Sequence, residues 1–207
     1  MNKGIFITVA TCLGFIALIL ALFLSRFYAP RELTLDEYKT LGAYFIDPPR
    51  QLADFNLIDD RGNEFLPDQF EGKWNILFFG FTYCPDVCPL DSARNAEAID
   101  LLDQMGHDVE LIFITIDPAR DTPEVLADYV EVMHPKMIGL TGTEEQVKVA
   151  SKAFKTYYRK NGEGEDYLMD HSTFSYLMNT NGLVEFFRRD ISAEDMAKTI
   201  SCYIEEA

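Results

Sequence analysis

The apolar and polar positions divide the chain into an apolar amino-terminal segment and a longer part where short apolar runs alternate with polar stretches. From Gly4 to Ser25 the chain contains no charged residue, and almost every position is apolar. About 20 such residues suffice to span the hydrocarbon layer of a membrane as a helix. A buried core helix usually has a polar face, which this segment lacks. The pattern therefore predicts one transmembrane helix near the amino terminus.

The residues that follow this segment favour a retained anchor over a cleaved signal peptide. Signal cleavage sites end in small residues, whereas Leu24 to Tyr28 includes bulky and charged residues. Basic residues lie on both sides of the segment, so the charge distribution alone leaves its orientation open. We predict a membrane anchor over residues 1–28, a proline-bracketed linker over 29–50 and one globular domain over 51–207.

The pattern after the linker alternates between strands and helices. Two nearly continuous apolar runs, Trp74–Phe81 and Val109–Ile116, are typical of central strands that are covered on both faces. Shorter strands are predicted over 54–58, 63–66, 137–140, 172–178 and 183–188. Helices are predicted over 90–105, 123–133, 144–159 and 193–205, the first with Ala93, Ala96, Ile99 and Leu102 on one face. This order predicts an α/β fold with a mixed central sheet flanked by helices, and an exposed, flexible loop over 161–166.

The net charge of the chain limits the classes of molecule that it can bind. All 34 acidic residues but only 15 of the 18 basic residues lie after Arg31, so that part carries a net charge near −19. Such a surface repels nucleic-acid phosphates and anionic lipid surfaces. We therefore expect no nucleic-acid partner, and an acidic surface that attracts cationic partners or metal ions.

Two cysteines stand close together at a position where chemistry is expected. Cys84 and Cys88 follow the Trp74–Phe81 strand and precede a predicted helix, and ligands bind in such crevices of open α/β sheets. The helix start offers backbone N–H groups and a positive dipole end, which favour a thiolate. Three cysteines outside the anchor are too few for a disulfide scaffold. The pair is suited to bind a soft metal ion or to form a disulfide.

Two thiolates make an incomplete site, and the three histidines of the chain are the obvious additional ligands, since imidazole suits copper and zinc. His107 is predicted to be solvated in a turn, and His134 to lie at a helix end, where a positive charge is favourable. His171 precedes a predicted strand and adjoins Asp170, which could orient its ring. From spacing alone, His171 is as plausible a surface loop residue as a metal ligand. A closed zinc site lacks an evident fourth ligand.

Four sequence blocks together resemble the signature of the SCO/SenC copper proteins, and they occur in that family's order over about residues 51–203. The blocks are Phe79–Pro89, Ile116–Pro123, Gly139–Thr143 and Asp170–Thr173. One departure is Asn179–Asn181, where many relatives carry a proline before the turn glycine. It lies beyond Cys84, Cys88 and His171 in the sequence.

The resemblance implies a thioredoxin-like fold and a copper site, for Cu(I) and possibly Cu(II), with Cys84, Cys88 and His171 as ligands. Members of the family help to assemble the binuclear copper centre in subunit II of cytochrome c oxidase. In bacteria they are single-pass proteins of the inner membrane with the carboxyl-terminal domain in the periplasm, which would orient the anchor. The partners so implied are subunit II, a copper donor protein and a thiol reductant.

Two alternative functions use the same scaffold. A thiol-disulfide reductase could use Cys84 and Cys88 to keep the copper-ligating cysteines of the oxidase reduced. Three residues separate the pair, rather than the two of a general thioredoxin, and such a role leaves His171 without a function. A peroxidase of the peroxiredoxin or glutathione-peroxidase kind would need a peroxidatic cysteine in different surroundings, and no matching motif is present.

The remaining residues of the signature have architectural interpretations. Asp117 and Asp121 are expected at strand-end and helix-cap positions, and Arg120 could pair with an acid near the site. Asp86 could tune copper or partner contact, or serve only the turn. Cys202 is expected to pack a helix as a small apolar residue.

Overall fold

The computed structural model describes residues 18–20, 23, 43–50, 55–70, 72–179 and 181–207, with residues 43–50 described only as backbone. Most of the predicted membrane anchor lies outside the described residues. Residues 18–20 and 23 are helical. In the part of the chain that is described, no helix is long and apolar enough to cross a membrane. The anchor therefore stays a prediction.

Between residues 43 and 207 the described chain contains ten strands, four α-helices and one 3-10 turn, Pro67–Phe70. The strands are β1 (Ala43–Arg50), β2 (Leu57–Asp59), β3 (Glu64–Phe65), β4 (Trp74–Gly80), β5 (Val109–Thr115), β6 (Met137–Thr141), β7 (Tyr158–Asn161), β8 (Leu168–His171), β9 (Ser175–Asn179) and β10 (Gly182–Phe187). The helices are α1 (Val87–Gln104), α2 (Pro123–Met133), α3 (Glu144–Phe154) and α4 (Ala193–Glu206).

Eight of the strands form one mixed sheet in the order β1-β10-β9-β4-β5-β6-β2-β3. Strands β4, β5 and β6 are parallel neighbours, and the other pairings are antiparallel. Parallel neighbours need crossover connections, which α1 and α2 provide. Strands β7 and β8 form a separate antiparallel hairpin. The predicted α/β fold with a mixed central sheet and flanking helices is confirmed.

The core lies on both faces of the sheet, as the continuous apolar runs predicted. Consecutive residues of a strand point to opposite faces, and Phe78 and Phe79 of β4 are both buried. Phe78 contacts Phe113, which contacts Tyr129 of α2. On the other face, Phe79 contacts Phe154 of α3. Strand β4 is thus fixed between two apolar layers and provides a rigid support for the loop that follows it.

Local capping signals set three helix starts as predicted. The Thr122 hydroxyl accepts a hydrogen bond from the Val125 N–H at the start of α2. Thr143 and Gln146 form a complete capping box at the start of α3. The Ser192 hydroxyl caps α4 in the same way. These polar side chains satisfy backbone N–H groups that have no partner within the helix.

Two helix boundaries differ from the prediction. Helix α1 begins at Val87 rather than near Leu90, so that Cys88 lies in its first turn. Helix α3 ends at Phe154 rather than near residue 159, because Lys155 adopts a left-handed backbone conformation with φ of 58°. A left-handed residue satisfies the last carbonyls and stops the helix.

The buried face of α1 is also more polar than predicted. Ala93 is exposed, whereas Asp91, Ser92 and Asn95 are buried. Ser92 hydrogen-bonds the Tyr129 hydroxyl, with 2.9 Å between the oxygens. The hydrogen bond offsets the desolvation of the buried hydroxyl. An apolar pattern alone therefore placed the buried face incorrectly at this end of the helix.

Two strand pairings were not anticipated. Strand β1 lies within the segment predicted as linker and pairs with β10. The β7–β8 hairpin replaces the end of the predicted third helix, and residues 161–166, predicted to be an exposed loop, are exposed and connect its strands.

A buried carboxylate joins the loops that follow β4 and β5. Asp121 accepts hydrogen bonds from the Thr82 backbone N–H at 3.0 Å and from the Thr82 hydroxyl at 2.6 Å. It also accepts one from the Thr115 hydroxyl at 2.6 Å. Burial raises the pKa of Asp121, and these hydrogen bonds act in the opposite direction. The contacts fix the loop between β4 and α1, which carries Cys84 and leads directly into the helical turn that carries Cys88.

Candidate metal centre

The first cysteine lies in the loop between β4 and α1 and contacts the start of the helix. The Cys84 N–H donates to the Phe81 carbonyl oxygen at 3.2 Å, which closes a turn. The Cys84 sulfur accepts a hydrogen bond from the Cys88 backbone N–H, with 3.4 Å between sulfur and nitrogen. Asp86, at the N-cap position of α1, makes no capping hydrogen bond with its side chain. The Cys84 sulfur therefore takes the capping role and lies at the positive end of the helix dipole.

The second cysteine is completely buried beneath this loop. Burial raises the pKa of the Cys88 thiol, while a hydrogen bond with the Phe81 backbone acts in the opposite direction. Gly80 leaves the space that the sulfur occupies, because a Cβ atom at Gly80 would lie 3.1 Å from Cys88 Sγ and 2.9 Å from Phe113 Cε2. A glycine at the end of β4 thus permits the close packing of the strand, the phenylalanine ring and the sulfur.

The histidine comes from the β7–β8 hairpin. His171 Nδ1 lies 2.7 Å from the Ser172 carbonyl oxygen, so Nδ1–H is the donor and the lone pair is on Nε2. Nε2 lies 3.4 Å from Cys88 Sγ. Burial lowers the pKa of His171, although the Ser172 carbonyl and the Asp91 and Asp170 carboxylates oppose this effect. The ring therefore presents a neutral nitrogen ligand to the cysteines.

The two sulfurs and the imidazole nitrogen converge on one point. The ligand atoms of Cys84, Cys88 and His171 all lie within 4.8 Å of one another. An ion bound at about 2.0–2.3 Å from each of three donors would separate the donors by roughly 3.5–4 Å. The observed arrangement fits such an ion with small side-chain adjustments. Across the residues that the structure describes, no other group of three or more potential ligands is this close.

The structure brings the predicted trio together, and it places the other two histidines in unrelated contacts. His107 Nε2 lies 2.8 Å from the Ser201 hydroxyl, so the expectation that it is merely solvated is wrong. His134 is the C-cap residue of α2, as predicted, and its Nε2 lies 3.3 Å from an Asp100 carboxylate oxygen.

The signature residues around the trio also have defined positions. Asp86 is exposed and lies outside the group of three ligands. Arg120 pairs with the Asp117 carboxylate, which the sequence had indicated only as a possibility beside an architectural role. Cys202 is only partly buried, on α4, and like Cys84 and Cys88 it is not in a disulfide.

Asp91 is a residue of the site that the sequence did not single out. It is buried next to the ligands, and its carboxylate lies 3.5 Å from Arg94 Nη1 and 4.0 Å from Arg189 Nε. Burial raises the pKa of Asp91, and the charges of Arg94, Arg189 and His171 oppose this. The available signal was helical spacing, because a residue three positions after Cys88 lies on the same helix face.

Comparison with known proteins shows the family of this chain. A sequence model of the SCO1/SenC family matches residues 46–205, which is more than half of the chain. The chain belongs to the SCO1/SenC family. It is 46% identical over 153 residues to protein SenC of Rhodobacter capsulatus, covering 73% of this chain and 69% of that protein. It is 43% identical over 164 residues to protein sco1 of Schizosaccharomyces pombe, covering 76% and 62%, respectively.

Solved structures of family members share the fold. The crystal structure of Arabidopsis thaliana ScoI with copper bound matches with a TM-score of 0.73 and 38% identity, covering 75% of this chain and 99% of that chain. The crystal structure of yeast Sco1 with copper bound matches with a TM-score of 0.72 and 36% identity, covering 77% and 91%. The SCO1/SenC domain described here therefore has the thioredoxin-like α/β fold of these relatives.

Replacing Gly80 by alanine is expected to disturb the site through Cys88. The new methyl group would press on Cys88 Sγ and on two phenylalanine rings, and such overpacking destabilises a core by about 1–3 kcal/mol. Displacing the sulfur should also lower the affinity for Cu(I) by roughly tenfold, the lower end of what support residues contribute to metal binding. Urea unfolding and competition with a Cu(I) chelator measure the two effects.

Gly139→Ala is the matched control. A Cβ atom at Gly139 of β6 would be similarly crowded, 3.0 Å from Leu126 Cβ, but none of its three nearest neighbours is a ligand. This variant should lose stability and retain its Cu(I) affinity. Equal losses of affinity in both variants would contradict a specific role for Gly80.

The affinity for Cu(I) is expected to rise with pH between pH 7 and 8. Because burial raises the pKa of Cys88, its thiol is protonated in this range and must lose the proton when the sulfur binds a metal. Each proton released gives about a tenfold increase in apparent affinity per pH unit. Competition titrations at several pH values measure the slope.

His171→Ala should leave this slope unchanged, although the absolute affinity falls. The pKa of His171 is lowered, so the imidazole is already neutral above pH 7 and releases no proton on binding. An affinity of the wild type that does not vary with pH would show that no thiol proton is displaced.

Proposed function

We propose that this protein binds one copper ion through Cys84, Cys88 and His171 and delivers it to the binuclear copper centre in subunit II of cytochrome c oxidase. The observation that carries the proposal is the convergence of two sulfurs and one neutral imidazole nitrogen within 4.8 Å. Soft thiolate ligands select Cu(I), and imidazole binds either copper state. The relatives ScoI of Arabidopsis thaliana and yeast Sco1 have been solved with copper bound.

The number of ligands supports copper transfer over structural metal binding. Structural zinc sites are closed by four protein ligands, and the described residues supply a group of three. An ion with three ligands can accept an incoming cysteine or histidine from a partner before it leaves. Copper is then cargo, passed by ligand exchange from a donor protein to this site and onward to the oxidase.

Copper stoichiometry tests the proposal directly. The reduced full-length protein, purified in mild detergent, is expected to bind one Cu(I) per chain. Cys84→Ala, Cys88→Ala and His171→Ala should each lose the ion or bind it at least roughly tenfold more weakly, because each removes one of three ligands. Cys202→Ala is the matched cysteine control and should still bind one copper.

A thiol-disulfide reductase is the second candidate. The cysteines are not in a disulfide, and their sulfurs are close enough for a side-chain rotation to join them. Cys84, the more exposed of the two, would attack the target disulfide, Cys88 would then displace the reduced target from the mixed disulfide, and a separate thiol reductant would restore the pair. If the wild type bound no copper but reduced a model disulfide rapidly, this function would replace the copper proposal.

Membrane attachment is part of the same proposal. The uncharged apolar run from Gly4 to Ser25 supports a retained anchor. The family resemblance supports the bacterial inner membrane as its location, with the copper-binding domain in the periplasm. We expect the expressed full-length chain to sediment with membranes and to resist extraction by carbonate, and the domain to be cleaved by protease added to spheroplasts. Recovery in the soluble fraction would exclude a retained anchor.

A further inference from the structure

The guanidinium group of Arg120 is surrounded by aromatic rings from two different parts of the site. Its Cζ atom lies 3.7 Å from the centroid of the Tyr167 ring and 4.7 Å from that of Tyr83. The Phe81 ring is 5.9 Å away. A planar guanidinium stacks favourably on aromatic faces. Arg120 thus joins Tyr83, which directly precedes Cys84, to Tyr167, which lies four residues before His171.

The same arginine is held by a buried carboxylate. Asp117 is almost completely buried, and it accepts a hydrogen bond from the Tyr167 hydroxyl at 2.6 Å and a second from Arg120 Nε. Arg120 Nη1 also donates to the Glu165 carbonyl oxygen at 3.2 Å. Tyr167 and Glu165 belong to the connection between β7 and β8. These contacts fix the tip of the hairpin to the loop between β5 and α2.

The hairpin has particular need of such contacts. Strands β7 and β8 form a two-stranded sheet that is separate from the eight-stranded sheet. An isolated two-stranded hairpin is only marginally stable in water. His171 is the last residue of β8, whereas the other two proposed ligands, Cys84 and Cys88, lie in the loop after β4 and in the first turn of α1. Its distance from the two sulfurs therefore depends on how the hairpin is docked.

We propose that Arg120 is a positioning residue that, through its stack with Tyr83 and Tyr167, docks the β7–β8 hairpin and holds His171 against the cysteines. This inference rests on the proposed copper site for its functional consequence, but the docking itself is independent of copper. Tyr83 is 58% exposed, so this side of the stack lies at the protein surface.

Lys160 provides the matched control. Its Nζ atom also lies 3.7 Å from the Tyr167 centroid. Two cations cannot occupy the same position over one ring face, so Lys160 and Arg120 take opposite faces of Tyr167. Lys160 belongs to β7, and its contact therefore stays within the hairpin. Removing Lys160 takes away a cation from the same ring, but it leaves intact the contact between Arg120 and Tyr83 in the loop after β4.

Hydrogen exchange of the full-length, copper-free protein tests the docking. Arg120→Ala should accelerate exchange of the amides over 158–171 by roughly three- to thirty-fold, with exchange in α1 unchanged. Lys160→Ala should leave the hairpin protected. Arg120→Lys retains the charge but lacks the planar group, so it should show an intermediate acceleration; this variant also decides the question if Arg120→Ala fails to fold. Unchanged exchange in the Arg120 variants would overturn the proposal.

A double-mutant cycle tests whether Arg120 acts through His171. Arg120→Ala alone should weaken Cu(I) binding by roughly ten- to a hundred-fold, as the loss of supporting residues does at other metal sites. In the His171→Ala background the same substitution should have almost no further effect, because the ligand it positions is already absent. Independent, additive losses would overturn the role of Arg120 in positioning His171.

The two experiments separate the two proposals. If the wild type binds no copper, the proposed function fails, and the exchange measurement still decides whether Arg120 docks the hairpin. If the wild type binds copper and Arg120→Ala binds it as tightly, the copper site stands and the positioning role is overturned.

Discussion

Two buried carboxylates on one short loop hold together the two segments that carry the ligands. These segments are the loop that leads from β4 into α1 and the β7–β8 hairpin. The loop between β5 and α2 contains Asp117 and Asp121, which are both buried. Asp121 accepts hydrogen bonds from Thr82 in the cysteine loop, and Asp117 accepts them from Tyr167 in the hairpin and from Arg120. The loop that carries Cys84 follows a strand of the eight-stranded sheet, whereas β7 and β8 form a separate sheet. The relative position of this loop and the hairpin therefore depends on the loop between β5 and α2. Burying carboxylates is costly unless they are hydrogen-bonded. Here the same hydrogen bonds that offset this cost also fix the positions of the two segments that carry the ligands.

Burial also determines the charge of the copper-free site. A buried thiolate and a buried imidazolium would both be poorly solvated, and burial raises the pKa of Cys88 and lowers that of His171. Both groups are thus neutral near pH 7. If Cys88 binds Cu(I), one proton is exchanged for one monovalent cation, so the charge at this sulfur stays balanced.

The sequence predicted correctly those elements whose structure is determined by residues close together in the chain. The central strands, the three capped helix starts and the close cysteine pair follow from local patterns, such as the apolar run of β4 or the capping box at Thr143. The β7–β8 hairpin was missed because its exposed strands have no apolar alternation; the segment is stabilised by contacts with Asp117 and Arg120 that are distant in sequence. For the same reason spacing could not assign His171, whose partner Cys88 is 83 residues away. The family resemblance supplied that assignment.

The unequal exposure of the three ligands predicts the order in which they would be exchanged during the proposed transfer. Cys88 is completely buried, whereas Cys84 and His171 are partly exposed. An incoming thiolate from a partner can approach only from the exposed side, where it would first replace Cys84 or His171. Cys88 would then release copper last, because it is completely buried, with its sulfur close to the β4 backbone at Gly80. In the proposed transfer, the buried ligand would retain copper while the outer ligands exchange, so that the ion would be bound at every stage.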